Sequence, residues 1–199
     1  MLYNQCNLEV AKIASKSDIR PEIAGVLFTK DKTTATDSFR LLEVSVSKEQ
    51  TAESFAKLAK LRGESAMLGI KPFIVPAKAL KDIKIPKEKS FPISGFVGIK
   101  HIDEQKVEFI TATTEGAEIK SVRRITGKFP DYENIFPTGK PVAQIMINGE
   151  LLAELLAIMA KLDNTKSVRV KFYAKDKPVV LEAGNPNQRS RGLLMPIKE

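Results

Sequence analysis

Hydrophobic and polar positions run through three similar passes along the chain, each a helical stretch followed by strand-like pieces joined at polar turns. In the first pass Leu8, Val10, Ala11, Ile13 and Ala14 give residues 7–16 the spacing of a short amphipathic helix, with Asn7 as its N-cap. Arg20-Pro21 ends that helix, because the residue before a proline is pushed toward extended backbone. Strands are expected at residues 22–29, 33–37 and 40–47, with Lys30-Asp31-Lys32 turning between the first two.

The second pass opens on Phe73-Ile74-Val75-Pro76, a strand that enters a short helix at residues 77–83 through a proline at its first turn. Strands follow at 96–102, 106–113 and 117–125, separated by Asp103-Glu104-Gln105 and Glu115-Gly116. Thr34-Ala35-Thr36-Asp37 and Thr111-Ala112-Thr113-Thr114 hold the same place in the two passes, 77 residues apart. The third pass opens with a strand at 142–147. Its helix, residues 149–162, has the plainest pattern in the chain: Leu151, Leu152, Leu155, Leu156, Ile158, Met159 and Leu162 form one apolar stripe behind Asn148 as N-cap. Strands at 168–174, 178–183 and 192–197 complete the pass, with Gly184-Asn185-Pro186-Asn187 as a turn.

One stretch stands outside the passes. Residues 47–63 begin with the Ser-x-x-Gln of a capping box, set Phe55, Leu58, Ala59 and Leu61 against Lys57, Lys60 and Arg62, and read as an inserted helix. Residues 86–92, rich in lysine, read as a loop. Short turns between consecutive strands imply antiparallel pairing, so the fold class is α+β with helices on one face of each sheet.

Composition narrows what such a fold could do. The 199 residues carry 32 Lys+Arg against 24 Asp+Glu, a formal charge of +8 that favours an acidic partner. One Cys and one His allow no internal disulfide and are too few for a zinc site. Neither Cys6 nor His101 sits in a catalytic motif, no phosphate-binding glycine pattern occurs, and no spacing singles out a pair of carboxylates. The chain therefore does not read as an enzyme and implies no metal or cofactor; His101 is expected on a strand and Cys6 near a helix start. No apolar run approaches the roughly 18 residues of a membrane span, and Met1–Leu8 lacks the regions of a signal peptide, so a soluble, cytoplasmic protein without a membrane partner is expected.

Four segments resemble one family. Arg20-Pro-Glu-Ile-Ala-Gly-Val-Leu-Phe28, Ala35-Thr-Asp-Ser-Phe-Arg-Leu41 and Gly127-Lys-Phe-Pro-Asp-Tyr132 look like the middle domain of the bacterial DNA polymerase sliding clamp, the beta subunit of the replicative polymerase. Leu194-Met-Pro-Ile197 looks like the final strand of its C-terminal domain. The family's strand–helix–three-strand units pair into domains, six units to a chain and two chains to a ring, whereas this chain has three. The resemblance implies a DNA-clamp fold in a shortened form: residues 1–137 as a middle-like domain carrying the inserted helix, and residues 138–199 as the second half of the C-terminal domain. A half-domain leaves a sheet edge and the 151–162 stripe without their usual cover, so self-association through 138–199, or a distinct packing of the third unit on the first two, is expected.

The resemblance also implies a pocket that accepts short linear peptides from polymerases, the clamp loader and repair proteins. Its wall would be Ile23, Thr36, Ser38, Phe39, Arg40, Leu41, Pro130, Ile135, Leu193 and Met195, although the family commonly has Gly and His where Ser38 and Phe39 stand. Aliphatic groups and a flexible methionine suit an adaptable groove, with Arg40 as a polar contact. For double-stranded DNA the family uses basic helices against the backbone without reading sequence; the candidates are Lys12, Lys16, Lys78, Lys81 and Lys161, each otherwise an ordinary solvated lysine. The implied function is a processivity platform for DNA replication; the alternative is an adaptor or decoy that keeps the peptide pocket and forms no ring.

Overall fold

The computed structural model describes residues 2–17, 19–47, 71–86, 95–112, 116–162 and 165–197, so the expected helix at 47–63 and the loop at 86–92 fall almost wholly outside the described residues. The chain divides into two compact units, Met1–Asn134 and Ile135–Glu199.

Among its described residues the first unit contains two four-stranded antiparallel sheets that trade their edge strands. Strand β1 (Leu2–Asn4) leads into α1 (Gln5–Glu9), which continues as a tighter turn through Lys12, and then into β2 (Gly25–Phe28), β3 (Lys32–Thr36) and β4 (Leu41–Ser45). The second pass repeats this order with β5 (Phe73–Pro76), α2 (Ala77–Leu80), β6 (Phe96–His101), β7 (Lys106–Ala112) and β8 (Ala117–Arg123). The sheets run β1-β6-β7-β8 and β4-β3-β2-β5, so each pass lends its opening strand to the sheet of the other. Tyr3 lies opposite Val97, and Val75 opposite Val26. Gly25 is required here: a Cβ would stand 2.5 Å from Ile74 Cγ2 and 2.8 Å from the Val75 carbonyl oxygen.

The exchange draws one core from both passes. Phe28 sits among rings supplied by β1, β5 and β7, with centroids 5.2 Å from Tyr3, 5.3 Å from Phe73 and 5.6 Å from Phe109. The Tyr3 hydroxyl donates to the Thr29 carbonyl at 2.5 Å, and burial pushes its pKa up. Leu8, Val10, Ala11 and Ala14 from the first helical stretch meet Ala77, Leu80 and Ile83 in the same cluster.

The expectation that Asn7 caps the first helix is corrected. Asn4 is the N-cap, its side chain accepting from the Asn7 N–H at 3.2 Å while the Asn7 side chain accepts from the Asn4 N–H at 3.1 Å. Asn7 is fully buried, and its Nδ2 donates toward the Val44 and Ser45 carbonyls at 3.0 and 3.2 Å and Thr33 Oγ1 at 3.2 Å. The cap lies three residues earlier because a strand without a sequence signature, β1, runs straight into the helix. That strand is only three residues long and reads as nothing without its partner β6.

The second unit is simpler. Helix α3 (Gly149–Met159) starts at Asn148, whose side chain accepts from the Glu150 and Leu151 N–H groups at 2.9 and 3.2 Å, as its sequence implies. It stops at Met159 rather than 162, where the last turn tightens and Asn185 Nδ2 donates to the Leu162 carbonyl at 2.6 Å. The helix covers a three-stranded sheet ordered β11-β10-β9, made of β9 (Arg169–Lys171), β10 (Val179–Gly184) and β11 (Arg189–Leu194). Met159, Val179, Leu181 and Leu194 form its core. The last strand begins at Arg189, earlier than the expected 192, because β10 and β11 close as a tight hairpin with Gly184 opposite Arg189. The expected strand at 142–147 is absent: the segment is irregular, with Ile145 and Ile147 resting on the core and Val142 and Met146 exposed.

His101 ends β6, on a strand as its sequence implies, and its ring stands edge-on to Phe73 at 4.9 Å with Nδ1 against Arg124 Nη2. Burial first, and then the Arg124 guanidinium, hold the imidazole below its ordinary value of 6.5. The unfolded chain therefore takes up this proton more readily than the folded one, so the contribution of neutral His101 is present above pH 6.5 and lost as the pH falls through the lower folded value. Thermal melts should show Tm falling below pH 6.5, with a smaller fall in His101→Gln. An equal acid loss in the variant would remove His101 as its cause.

Candidate docking corner and basic cleft

Three of the four sequence segments that carry the family resemblance converge on one corner of the first unit. Arg20 Nη2 donates to Ser38 Oγ at 2.5 Å, joining the first segment to the second. Gly127 joins the third to the first: a Cβ there would stand 2.8 Å from Glu22 Cγ, and its φ of 146° is one that a side chain rarely adopts. Leu41 then packs on Phe129 and Tyr132 in a cluster that includes Ile74, Leu27 and Ile125.

The Asp37–Arg40 turn between β3 and β4 is built from side-chain hydrogen bonds. Asp37 Oδ1 accepts from the Phe39 and Arg40 N–H groups at 3.0 Å, and Oδ2 from Arg40 Nε at 3.0 Å. Burial alone would push this carboxyl up, but the Phe39 N–H, the Arg40 side chain and the Arg40 N–H together hold it below the usual range. Thr36 Oγ1 donates to the Arg40 carbonyl at 2.9 Å and accepts from the Ser38 N–H at 3.2 Å. Ser38 takes φ 78°, a left-handed conformation that glycine adopts most readily, which gives a physical reason for glycine at this position elsewhere. The turn thrusts Phe39 outward at 97% exposure.

The expected wall residues are not equally accessible. Ile23 and Thr36 are buried, Leu41 is half-buried, and Pro130 is exposed beside the buried Phe129. In the second unit Ile135 is exposed, and Leu193 and Met195 point outward on either side of the buried Leu194. The expected wall omits Phe129 and Tyr132, which pin this corner. Their rings meet at 6.0 Å, and the Tyr132 hydroxyl lies 3.0 Å from Thr34 Oγ1. Lys32 Nζ sits 5.2 Å from the Tyr132 ring centre and bonds Glu133 at 2.6 Å and Glu43 at 2.8 Å; Glu133 and then Glu43 raise its pKa. The sequence carries a signal for them: two aromatics three residues apart in a polar stretch rarely stay solvated.

A second feature lies where the helical stretches of the two passes meet. A cleft of about 630 Å³ is floored by Ala11, Ala14, Ala24, Pro76 and Ala77 and rimmed by Lys12, Lys16, Lys78 and Lys81. Four of the five candidate DNA-facing lysines, drawn from positions more than sixty residues apart, thus surround one opening, and all four are exposed. Glu9 pairs with Lys12 at 2.8 Å as an exposed contact of little energetic weight. Lys161, the fifth, is exposed just beyond α3 in the second unit.

This architecture has counterparts among solved structures. The crystal structure of DNA polymerase III, beta chain, from Streptococcus pneumoniae matches with a TM-score of 0.63 at 16% identity, over 100% of this chain and 49% of that one. The beta subunit from Streptococcus pyogenes matches at 0.66 and 14% identity, over 100% and 50%. The DNA polymerase sliding clamp from Pseudomonas aeruginosa matches at 0.67 and 20% identity, over 98% and 50%. The chain has the sliding-clamp fold. It spans about half the length of the clamp chains it matches. No family model and no curated protein matches the sequence. Among the described residues no helix is long and apolar enough to cross a membrane.

Proposed function

We propose that the chain is a non-enzymatic, sliding-clamp-like platform for DNA replication, which holds duplex DNA without reading its sequence and docks recognition peptides of polymerases, clamp loaders and repair proteins. The observation that carries this is the ring of Lys12, Lys16, Lys78 and Lys81 around one cleft in a clamp fold. Four ammonium groups on and just beyond two adjoining helical stretches suit phosphate contacts, and nothing in alanine and proline reads base edges. The chain is expected to act as a homo-oligomer on DNA, since three units alone do not encircle a duplex in the manner of six-unit chains paired in a ring.

The docking half of the proposal rests on exposed apolar groups at two places, Phe39 beside Arg40 in the first unit, and Leu193 and Met195 in the second. Large apolar residues left in water on a built corner favour a peptide ligand, and a methionine adapts to several. If only this half holds, the chain is an adaptor that captures clamp-recognition peptides away from DNA.

Binding to a duplex of arbitrary sequence should weaken steeply with salt, and Lys16→Gln with Lys81→Gln should lower the slope of log K against log salt by up to about 1.8, roughly 0.9 for each phosphate that is no longer neutralised. An affinity independent of salt, or unchanged in the double variant, would overturn the DNA assignment. Separately, Met195→Asp should abolish binding of a clamp-recognition peptide by calorimetry while leaving the far-UV spectrum intact. Equal affinity in that variant removes Met195 from the site.

A further inference from the structure

The first unit supplies a template for what the second one lacks. In the template, β5 is held on both sides. Its Ile74 carbonyl accepts from the Ile125 N–H at 2.9 Å, where the chain continues beyond β8 of the same pass, and its opposite edge pairs with β2 of the other pass. The second unit reproduces half of this. The Met146 carbonyl accepts from the Ile197 N–H, also at 2.9 Å, where the chain continues beyond β11. Ile74 stands two residues before the helix cap Pro76, and Met146 two residues before the helix cap Asn148, so the two bonds are equivalent. The segment 145–147 is therefore already held where an opening strand belongs. Among the described residues, no strand pairs with its other side.

A matching edge is open on the same unit. The first sheet strand of each pass in the template, β2 or β6, is flanked on both sides, one neighbour coming from the other pass. Its counterpart β9 pairs with β10 alone among the described residues. The helix tells the same story: Leu8, Val10 and Leu80 of the template helices are buried in the shared core, whereas Leu151 and Ile158 of α3 are 50% and 64% exposed. Leu152, Leu155 and Met159 already serve the unit's own sheet, so this second apolar face has no use inside it.

We infer that a second copy of this chain completes the unit. One unit offers both an unpaired strand segment and the edge that such a segment fits, and in the template those two elements satisfy each other reciprocally. Two copies related by a two-fold axis satisfy both at once: residues 145–147 of each extend the other's sheet antiparallel to β9, and the exposed faces of the two α3 helices close a common core. Charge fits the same arrangement. Helix α3 opens with Glu150 and Glu154 and is followed by Lys161, so antiparallel helices set opposite charges side by side. This deepens the homo-oligomer of the proposed function by naming its interface, and the interface stands whether or not DNA or a peptide is bound.

Sedimentation of the full chain, without DNA, tests it. The expected species at micromolar concentration is a dimer of about 44 kDa, twice the 22.0 kDa chain. Ile147→Pro removes a backbone donor from the open side, and Ile158→Glu places a charge in the apolar face; each should raise the dimer dissociation constant at least about tenfold. Because Ile158 is exposed in the single chain, its variant keeps the fold, and an unchanged far-UV spectrum checks this. Amide exchange at 145–147 should slow as the dimer forms. A monomer up to hundreds of micromolar, a dimer unaffected by Ile158→Glu, or a dimer whose 145–147 amides exchange as fast as in the dilute chain would overturn the inference.

Discussion

Everything in the first unit depends on the reciprocal exchange of β1 and β5. Each sheet owns three strands and borrows its fourth, so neither has a complete edge without the other pass. An open edge exposes unpaired backbone groups, and three short strands bury little by themselves. The exchange closes one edge of each sheet and brings Tyr3 edge-on and Phe73 stacked against Phe28, joining the two passes through one aromatic cluster. It also sets the helical stretches side by side, which is what gathers four lysines around a single cleft.

The corner around Phe129 and Tyr132 rests on the same frame. Ile74 of the exchanged β5 packs with Phe129 and Tyr132, so the strand that joins the sheets also seats the segment after β8 against Leu41. The Asp37–Arg40 turn satisfies its polar groups internally and leaves Phe39 in water. A rigid turn with an exposed aromatic tip loses little freedom on binding, which is the physical basis for treating it as a contact surface.

Much of this is legible in the sequence, and the omissions have a common cause. Local periodicity reveals β3, β6, β7, β8 and α3, because alternation or a 3.6-residue stripe is visible without knowing the partner. It misses β1, whose three residues acquire meaning only from β6, and for the same reason places the helix cap at Asn7 instead of Asn4. It draws a strand at 142–147 from apolar content that is real, but a strand needs a ladder, and among the described residues the segment's backbone is held only by the Ile197 N–H on the Met146 carbonyl. At the site, Ser38 and Phe39 are legible as departures from the family pattern. The burial of Ile23 is not, since the sequence puts it inside a strand at 22–29, whereas the strand begins only at Gly25 and Ile23 is buried in the turn before it. The convergence of Arg20 with Ser38 and of Glu22 with Gly127 is likewise a tertiary fact that no spacing encodes.

That the exchange makes the two passes one cooperative structure is tested most directly by native-state hydrogen exchange across increasing denaturant. Amides of β1 and β5 should open only with the centres of β3 and β7, at the same free energy and with the same denaturant dependence. Exchange of either borrowed strand through a separate, denaturant-independent opening, while both sheets stay protected, would contradict it.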